Sequence, residues 1–484
     1  MLNLLNDLLW GKFLIITLVG LGLYFTVASR FVQIRYFSSM FSIFAQAFQR
    51  QKGQLSSFQA LMLSVAGRVG AGNIAGVAVA ITLGGPGAVF WMWLVALLGM
   101  ATSFFECSLA QLYKRREADG TYRGGPAFYI LHGLGQRWLA IVFSVLLLVT
   151  FGFGFNALQA YTVANSLHDT FGISTLLSGI AVAVVISLII FGGIKRIAKS
   201  ADILVPVMAL SYIFMALVVI GMNLEAVPAT LALILKSAFG LEPAFAGGIG
   251  AAILMGVKRG LFSNEAGLGS APNVAAIAEV KHPAAQGIVQ SLSVFIDTLL
   301  ICTSTALIIL LSGIYQPGSE VAGVVLTQSA LAAVVGEWGR VFVSLALLLF
   351  VFTTLVYNYY LGENALRFFS EKRLPLLAYR ALVVVLVLWG ATQDLSTVFA
   401  FADVTMGLLA VVNLLALTLL FKVGLRVLHD YDEQRAAGVQ QPVFDPERFS
   451  DLDLDASVWP TNQFKACEAG MKRVPVEALT SKHR

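Results

Sequence analysis

The sequence predicts an all-α integral membrane protein of about eleven spans, one leading span followed by two groups of five. Three observations carry this. Of the 484 residues 58% are hydrophobic and only 12% charged, too little polar surface to wrap a water-soluble core. Apolar runs of about 18 residues or more recur along the chain, each long enough to cross a hydrocarbon layer. Two of these runs are interrupted by glycines, and each opens one of the five-span groups.

The leading span, residues 8–29, follows a segment (Met1–Trp10) that has no Lys or Arg and contains Asp7, while Arg30 and Arg35 come after it. That charge order predicts a retained span with its N-terminus outside, not a cleaved signal. The spans then expected are 57–83, 87–112, 138–165, 173–193 and 200–222 in the first group. The second group holds 243–279, 284–313, 337–368, 375–392 and 396–421. The chain so divides into 1–56 (extra span and loop), 57–222, 223–421 and a polar tail, 422–484, expected to be partly disordered. The loops agree on a side. Arg30–Lys52, Lys114 to Arg116, Lys195 to Lys199, Lys281, Lys372, Arg373 and the tail from Lys422 fall together, whereas Tyr315–Gly336 carries no Lys or Arg. This asymmetry predicts a cytoplasmic tail. The net charge of +5 is explained by such loops and calls for no nucleic-acid partner.

The first interrupted run reads Gly67-Arg-Val-Gly-Ala-Gly-Asn-Ile-Ala-Gly76. Glycine admits close approach to the backbone, and backbone freed from helical bonding at mid-membrane is tolerable where it meets a ligand or cavity. The N–H groups of Gly72 and Asn73 would open a half-helix whose positive end suits a carboxylate, and carbonyls upstream, those of Ala66 and Val69, would face a small cation. Close helix packing through Gly72-xxx-Gly76 is the competing reading at this point. The second run, from Gly247 to Gly267, is too long for one straight crossing, and its break is expected ahead of Lys258, Arg259, Asn264 and Glu265. The two groups enter the membrane from opposite sides, as an inverted repeat requires.

Four stretches resemble a known family. They are Arg68-Val-Gly-Ala-Gly-Asn-Ile-Ala-Gly-Val77, Gly84-Gly-Pro-Gly-Ala-Val-Phe-Trp-Met-Trp93, Gly124-Gly-Pro126 and Gly256-Val-Lys-Arg-Gly-Leu-Phe-Ser-Asn-Glu-Ala-Gly-Leu-Gly-Ser-Ala-Pro272. Together they resemble the alanine or glycine:cation symporters, a family of the amino acid–polyamine–cation superfamily, over about residues 10–450. The resemblance implies the LeuT-type five-plus-five inverted repeat and Na⁺-coupled uptake of alanine or glycine across a plasma membrane, in bacteria the inner one. It implies that Gly70, Gly72 and Asn73 hold the substrate carboxylate and that Phe155 and Gln159 face the substrate. Gly256, Phe262 and Asn358 complete the implied pocket. The Thr353-Thr354 pair, with the carbonyls of Ala66, Val69 and Phe350, is the implied Na⁺ site. Where the family often has Thr, Ala71 stands without a hydroxyl. Where it often has Trp, Asn358 makes the wall more polar.

Ionisable residues in or near spans are functional candidates: Arg68, Glu106, Asp202, Asp297, Glu363 and Asp403. Arg68, Glu106 and Glu265 are expected in the cytoplasmic half as a gate, and Asp202 as a structural charge beside Lys199. Cys107, Cys302 and Cys467 are too far apart for a redox or metal pair, and the five histidines show no ligand spacing. There is no HExxH, GxSxG or P-loop signature, so an enzyme is not expected, nor a cofactor beyond the coupling ion. The partners expected are a small neutral amino acid and membrane lipid, with no obligate protein partner. An H⁺-coupled symporter and a non-transporting amino-acid sensor are the alternatives.

Overall fold

Helices dominate the computed structural model, which describes residues 2–46, 55–190, 193–241, 248–317 and 323–460. The leading span is α1 (Leu5–Ala28), followed by the short α2 (Phe37–Gln46). Next comes a helix pair, α3 (Ser57–Arg68) and α4 (Gly72–Gly84), bent by 49° at the first glycine run. A capping box starts α3: the Ser56 hydroxyl accepts the Gln59 N–H at 3.2 Å, and the Gln59 side chain accepts the Ser56 N–H at 3.3 Å. Then follow α5 (Gly87–Leu112), a small hairpin of β1 (Arg115–Arg116) and β2 (Tyr122–Arg123), and α6 (Arg137–Phe171). The first group ends with α7 (Thr175–Ile190) and α8 (Gly193–Met222), which contains Pro206.

In the second group, α9 (Val227–Ala238) leads to α10 (Gly248–Asn264) and, after a break, α11 (Ala271–Ala275). Then come α12 (Pro283–Leu311), α13 (Val324–Val335), α14 (Trp338–Phe369), α15 (Arg373–Ala391) and α16 (Leu395–Ala436). Among the described residues eight single helices are long and apolar enough to cross a membrane, with α3–α4 as a bent ninth. Each of the eleven expected spans overlaps a helix or helix pair; two of them, 173–193 and 243–279, include residues outside those described, so that α7 has 16 described residues and α10, which carries Lys258 and Arg259, has 17. Helices α9 and α13 lie where only loops were expected, because twelve-residue helices are invisible to a search for full-length crossings.

Two bodies organise around the site. α5 is the spine of one, with α10, α11 and α12 packed along it, and α6, α7, α14 and α15 pack among themselves as the other. Among the described residues four of these helices contain wide π-type turns: Leu9–Phe13 in α1, Gly72–Gly76 in α4, Leu148–Phe155 in α6 and Phe295–Cys302 in α12. The leading span is tied to the first body through a buried ion cluster. Asp403 of α16 receives both oxygens' bonds from Arg259 at 2.6 Å and pairs with Lys258 at 2.9 Å. Asn6 accepts from Lys258 at 2.9 Å, and the Trp10 indole N–H donates to the Asp403 carbonyl at 3.0 Å.

The tail does not leave the protein at Lys422. α16 runs on to Ala436, and residues 437–460 fold back over the end that carries the hairpin. Phe444 N–H donates to the Lys281 carbonyl at 2.9 Å, Asp453 meets Arg115 at 2.9 Å and His132 at 2.7 Å, and the Trp459 N–H donates to Leu112 O at 3.1 Å. Beneath this strap the Lys114 ammonium is buried, donating to Ala278 O at 2.7 Å and lying 4.1 Å from the Tyr122 ring centre. Residues 461–484, Gly247 and the Asp202 side chain, all weighed in the sequence, lie outside what is described.

Two outcomes follow from these contacts. Burial pushes the Lys114 ammonium down from 10.5 to about 7, against the opposing pull of Glu279. Its folded pKa lies below its unfolded one, so the cost of charging it is complete below about pH 7 and fades as pH rises toward 10.5. Thermal midpoints measured from about pH 6 to about pH 9 should therefore rise in the wild type and stay flatter in Lys114→Met. Asp403→Asn strands two buried cations and should cost about 3–5 kcal/mol, read as a fall in thermal midpoint that Lys258→Met partly restores.

Candidate functional site

The first break is where α3 gives out. Val69 turns to an extended conformation (ψ 93°), so the carbonyls of Ala66 and Val69 lose their helical partners. Both turn toward α14. The Thr354 hydroxyl lies 3.0 Å from Ala66 O, 3.1 Å from Val69 O and 2.9 Å from Phe350 O. One hydroxyl proton serves one acceptor, so three carbonyls converge on a point with lone pairs to spare. An all-oxygen set at the negative end of a half-helix suits a small hard cation. Thr353 joins this group only through Phe350 O, at 2.9 Å, and its hydroxyl also lies against Met208 of α8.

Glycine is required at 70 by space. A Cβ there would sit 2.6 Å from Thr354 Oγ1 and 3.0 Å from Gln159 Nε2. Gln159, on α6, accepts the Ala71 N–H at 2.9 Å, Asn73 Oδ1 accepts the Gly70 N–H at 2.8 Å, and Asn73 N–H donates to Gly70 O at 3.2 Å. The unwound peptides are thus satisfied by two side-chain amides, one of them on the facing body. Beyond the break an aromatic wall closes over Gly72: a Cβ there would meet the Phe262 ring at 3.0 Å, and Phe262 touches Phe155 (ring centres 4.9 Å) and Phe399 (5.9 Å). Asn358, one turn past Thr354 on α14, is fully buried, and neither its Nδ2 nor its Oδ1 has a hydrogen-bond partner.

Gly256 is elsewhere. A Cβ on it would lie 2.5 Å from the Ala88 carbonyl oxygen and the Trp91 Cβ, so it is a packing glycine between α10 and α5, facing away from the pocket. The second break is also displaced from its expected place. α10 continues through Lys258 and Arg259 to Asn264, and the chain turns at Glu265 (φ +54°), Gly267 (+90°) and Gly269 (+79°). The long glycine-rich run misled because helical glycines at 256 and 260 serve contacts with α5, while the left-handed residues stop the helix. Glu106 of α5 covers this break: its oxygens accept Gly267 N–H at 3.3 Å and Gly269 N–H at 3.2 Å, and Asn413 Nδ2 donates at 3.0 Å.

The expected gate is not closed as an ion pair. Arg68 donates to Ser293 and Ser103, and Glu265 accepts from Ser270 at 2.6 Å. Among the described residues no salt bridge joins Arg68 to Glu106 or Glu265. Glu363 is paired with Arg367 at 2.7 Å, a structural role. Asp297 proves central. Asn73 Nδ2 donates to it at 2.6 Å, Ser263 at 2.8 Å and Thr298 at 2.7 Å, and Cys302 Sγ stands 3.1 Å from the Ser263 hydroxyl. Its in-span charge was a readable signal; Ser263, Thr298 and Cys302 carried none, because their role comes only from the packing of α12 on the two breaks.

Comparison with known proteins fits this arrangement. The model of the sodium:alanine symporter family matches residues 1–446. The amino-acid carrier protein AlsT of Bacillus subtilis is 46% identical over 96% of this chain and 98% of its own length. The probable sodium/glutamine symporter GlnT of the same organism is 46% identical over 91% of both. A manganese transporter of Eremococcus coleocola, 16% identical, shares the fold over 76% of this chain and 78% of its own, with a TM-score of 0.52. With a glycine-broken helix pair facing an oxygen-lined point on α14, and with the family's model running through nearly all of its membrane helices, this chain belongs to the sodium:alanine symporter family.

Proposed function

We propose that the chain carries a small neutral amino acid, alanine or glycine, together with Na⁺ by alternating access, with the tail end of the bundle in the cytoplasm. The observation that carries this reading is the convergence of Ala66 O, Val69 O and Phe350 O on the Thr354 hydroxyl. Na⁺ binding there draws α3 to α14, and so joins the two bodies. The fold is read as the LeuT-type inverted repeat, 57–222 and 223–421, with both broken helices at its centre.

The substrate's carboxylate is taken by the unwound peptides. Its oxygens replace Gln159 Oε1 at the Ala71 N–H and extend to the N–H of Gly72, and the released Gln159 amide then turns to the substrate. Phe155 and Phe262 close over it, which sets the size limit. Each solute orders the same segment, 66–73, so each strengthens the other's binding. Rocking of the α5 body against the α6–α14 body opens the site to either side.

A second reading concerns the substrate. The two unpartnered amide atoms of Asn358 favour a side chain with its own amide or hydroxyl, and one relative is named a probable glutamine symporter.

Two measurements in proteoliposomes test these readings. Thr354→Ala should raise the Na⁺ concentration for half-maximal L-alanine uptake about tenfold or more, equivalent to about 1.4 kcal/mol, and Thr354→Ser should restore it. Uptake indifferent to Na⁺ in the wild type would overturn the coupling. For the pocket wall, Asn358→Leu should weaken competition by L-glutamine or L-serine several-fold while sparing glycine. Equal effects on all three would place Asn358 outside the pocket.

A further inference from the structure

We propose that Asp297 is a positioning residue for the oxygen site: its carboxylate fixes which way the Asn73 amide faces, and through one peptide plane that amide aims the Val69 carbonyl at Thr354. This rests on the symporter reading above and names the group that holds its cation site in shape.

The Asn73 side chain is buried, and both ends of its amide are engaged. Oδ1 accepts the Gly70 N–H at 2.8 Å. Nδ2 donates to Asp297 Oδ1 at 2.6 Å and to the Ser263 hydroxyl at 3.2 Å. The two ends of an amide have nearly the same shape, so its orientation is decided by what each end meets. An ionised carboxylate only accepts, and a peptide N–H only donates. Turned round, Asn73 would set its oxygen against Asp297 Oδ1 and its NH₂ against the Gly70 N–H, losing both bonds at once. The carboxylate is itself held from two helices. Ser263 of α10 donates to Asp297 Oδ2 at 2.8 Å, and Thr298 of α12 at 2.7 Å. These bonds run in one sense, toward the Asp297 oxygens, so the direction at Asn73 is set from α12 and not by the broken helix itself.

That direction reaches the oxygen site through covalent geometry. The Gly70 N–H and the Val69 carbonyl belong to a single trans peptide group. The group is planar, and its N–H and C=O point in opposite directions, so anchoring one aims the other. Asn73 grips the N–H, and the Val69 oxygen faces the Thr354 hydroxyl at 3.1 Å. The other two carbonyls at Thr354 need no such help. Ala66 lies within α3 and Phe350 within α14, whose helical geometry directs both. Val69 has already turned extended (ψ 93°), so its carbonyl is the one that the helix does not direct. The following peptide is braced separately, with Gly70 O accepting the Asn73 N–H at 3.2 Å and the Ala71 N–H donating to Gln159 at 2.9 Å. Disturbing Asp297 should therefore fall on the cation and spare the peptide N–H groups read above as the carboxylate site.

The test is a reciprocal swap, read by labelled L-alanine counterflow in proteoliposomes of the purified full-length protein, with equal Na⁺ on both sides. Asp297→Asn lets position 297 present either an oxygen or an NH₂ to Asn73, and should raise the Na⁺ concentration for half-maximal counterflow several-fold. Asn73→Asp sets two carboxylates against each other, and should raise it about tenfold or more or abolish counterflow. The double variant, Asn73→Asp with Asp297→Asn, again gives the Gly70 N–H an acceptor and joins 73 to 297 by a hydrogen bond of reversed sense. It should bring the Na⁺ requirement back toward wild type, below that of either single variant. In Asp297→Asn and in the double variant, half-saturation by alanine at saturating Na⁺ should stay near wild type. A double variant no better than Asn73→Asp, an unchanged Na⁺ requirement in Asp297→Asn, or a rise in it that falls on Na⁺ and alanine alike would each overturn the proposal and leave the symporter reading standing. Wild-type counterflow indifferent to Na⁺ would instead remove the cation site itself, and the proposal with it.

Discussion

Every backbone N–H and C=O buried away from water needs a partner, and two helices of this protein stop at buried residues inside the bundle. How each stop is satisfied determines the rest. At the first, between Arg68 and Gly72, the partners are neutral amides and a hydroxyl: Asn73, Gln159 and Thr354. Neutral partners can be exchanged for a ligand at little cost. At the second, between Asn264 and Ala271, the carboxylate of Glu106 accepts two peptide N–H groups and is itself braced by Asn413, which also donates to Gly267 O at 2.8 Å. That break is pinned to α5 and α16 by a carboxylate, whereas the first is held by neutral groups alone.

The packing extends this difference. The α3–α4 pair lies between the α5 body and α14, touching Phe262 on one side and Thr354 on the other. Asp297 closes the loop by bonding to both breaks' helices from α12. The leading span stands outside this exchange. It holds the Asp403 cluster through Asn6 and Trp10, on the far side of Phe399 from the pocket, where the Arg259 guanidinium stacks 4.7 Å over that ring.

Much of this was legible in the residues. Long apolar runs marked the membrane helices, and three glycines in the seven residues 70–76 marked the first break to within a residue or two. The carbonyls of Ala66, Val69 and Phe350, named by resemblance, lie within hydrogen-bond distance of the Thr354 hydroxyl, with Thr353 at the margin through Phe350 O alone. Gly256 and the position of the second break were misread for one reason: a glycine in a helix and a glycine that ends one look alike in sequence, and only the facing helix or the sign of φ separates them. The short helices α9 and α13 escaped because twelve residues bury one face without spanning anything. The strap of 437–460 escaped because its hold depends on scattered partners, Leu112, Arg115, His132 and Lys281, that no local pattern connects.

The wide turns in α4, α6 and α12 all reach the end of α10, Gly72 and Phe155 at Phe262 and Asp297 at Ser263. A π-type turn holds one residue more than the α-helix around it, so it is slack stored in the backbone. Letting that slack move along a helix rotates the intervening residues by about 100° each without breaking either end free. A one-residue shift of such a turn would therefore re-aim the side chains it carries toward the end of α10 while the helix termini stay in place.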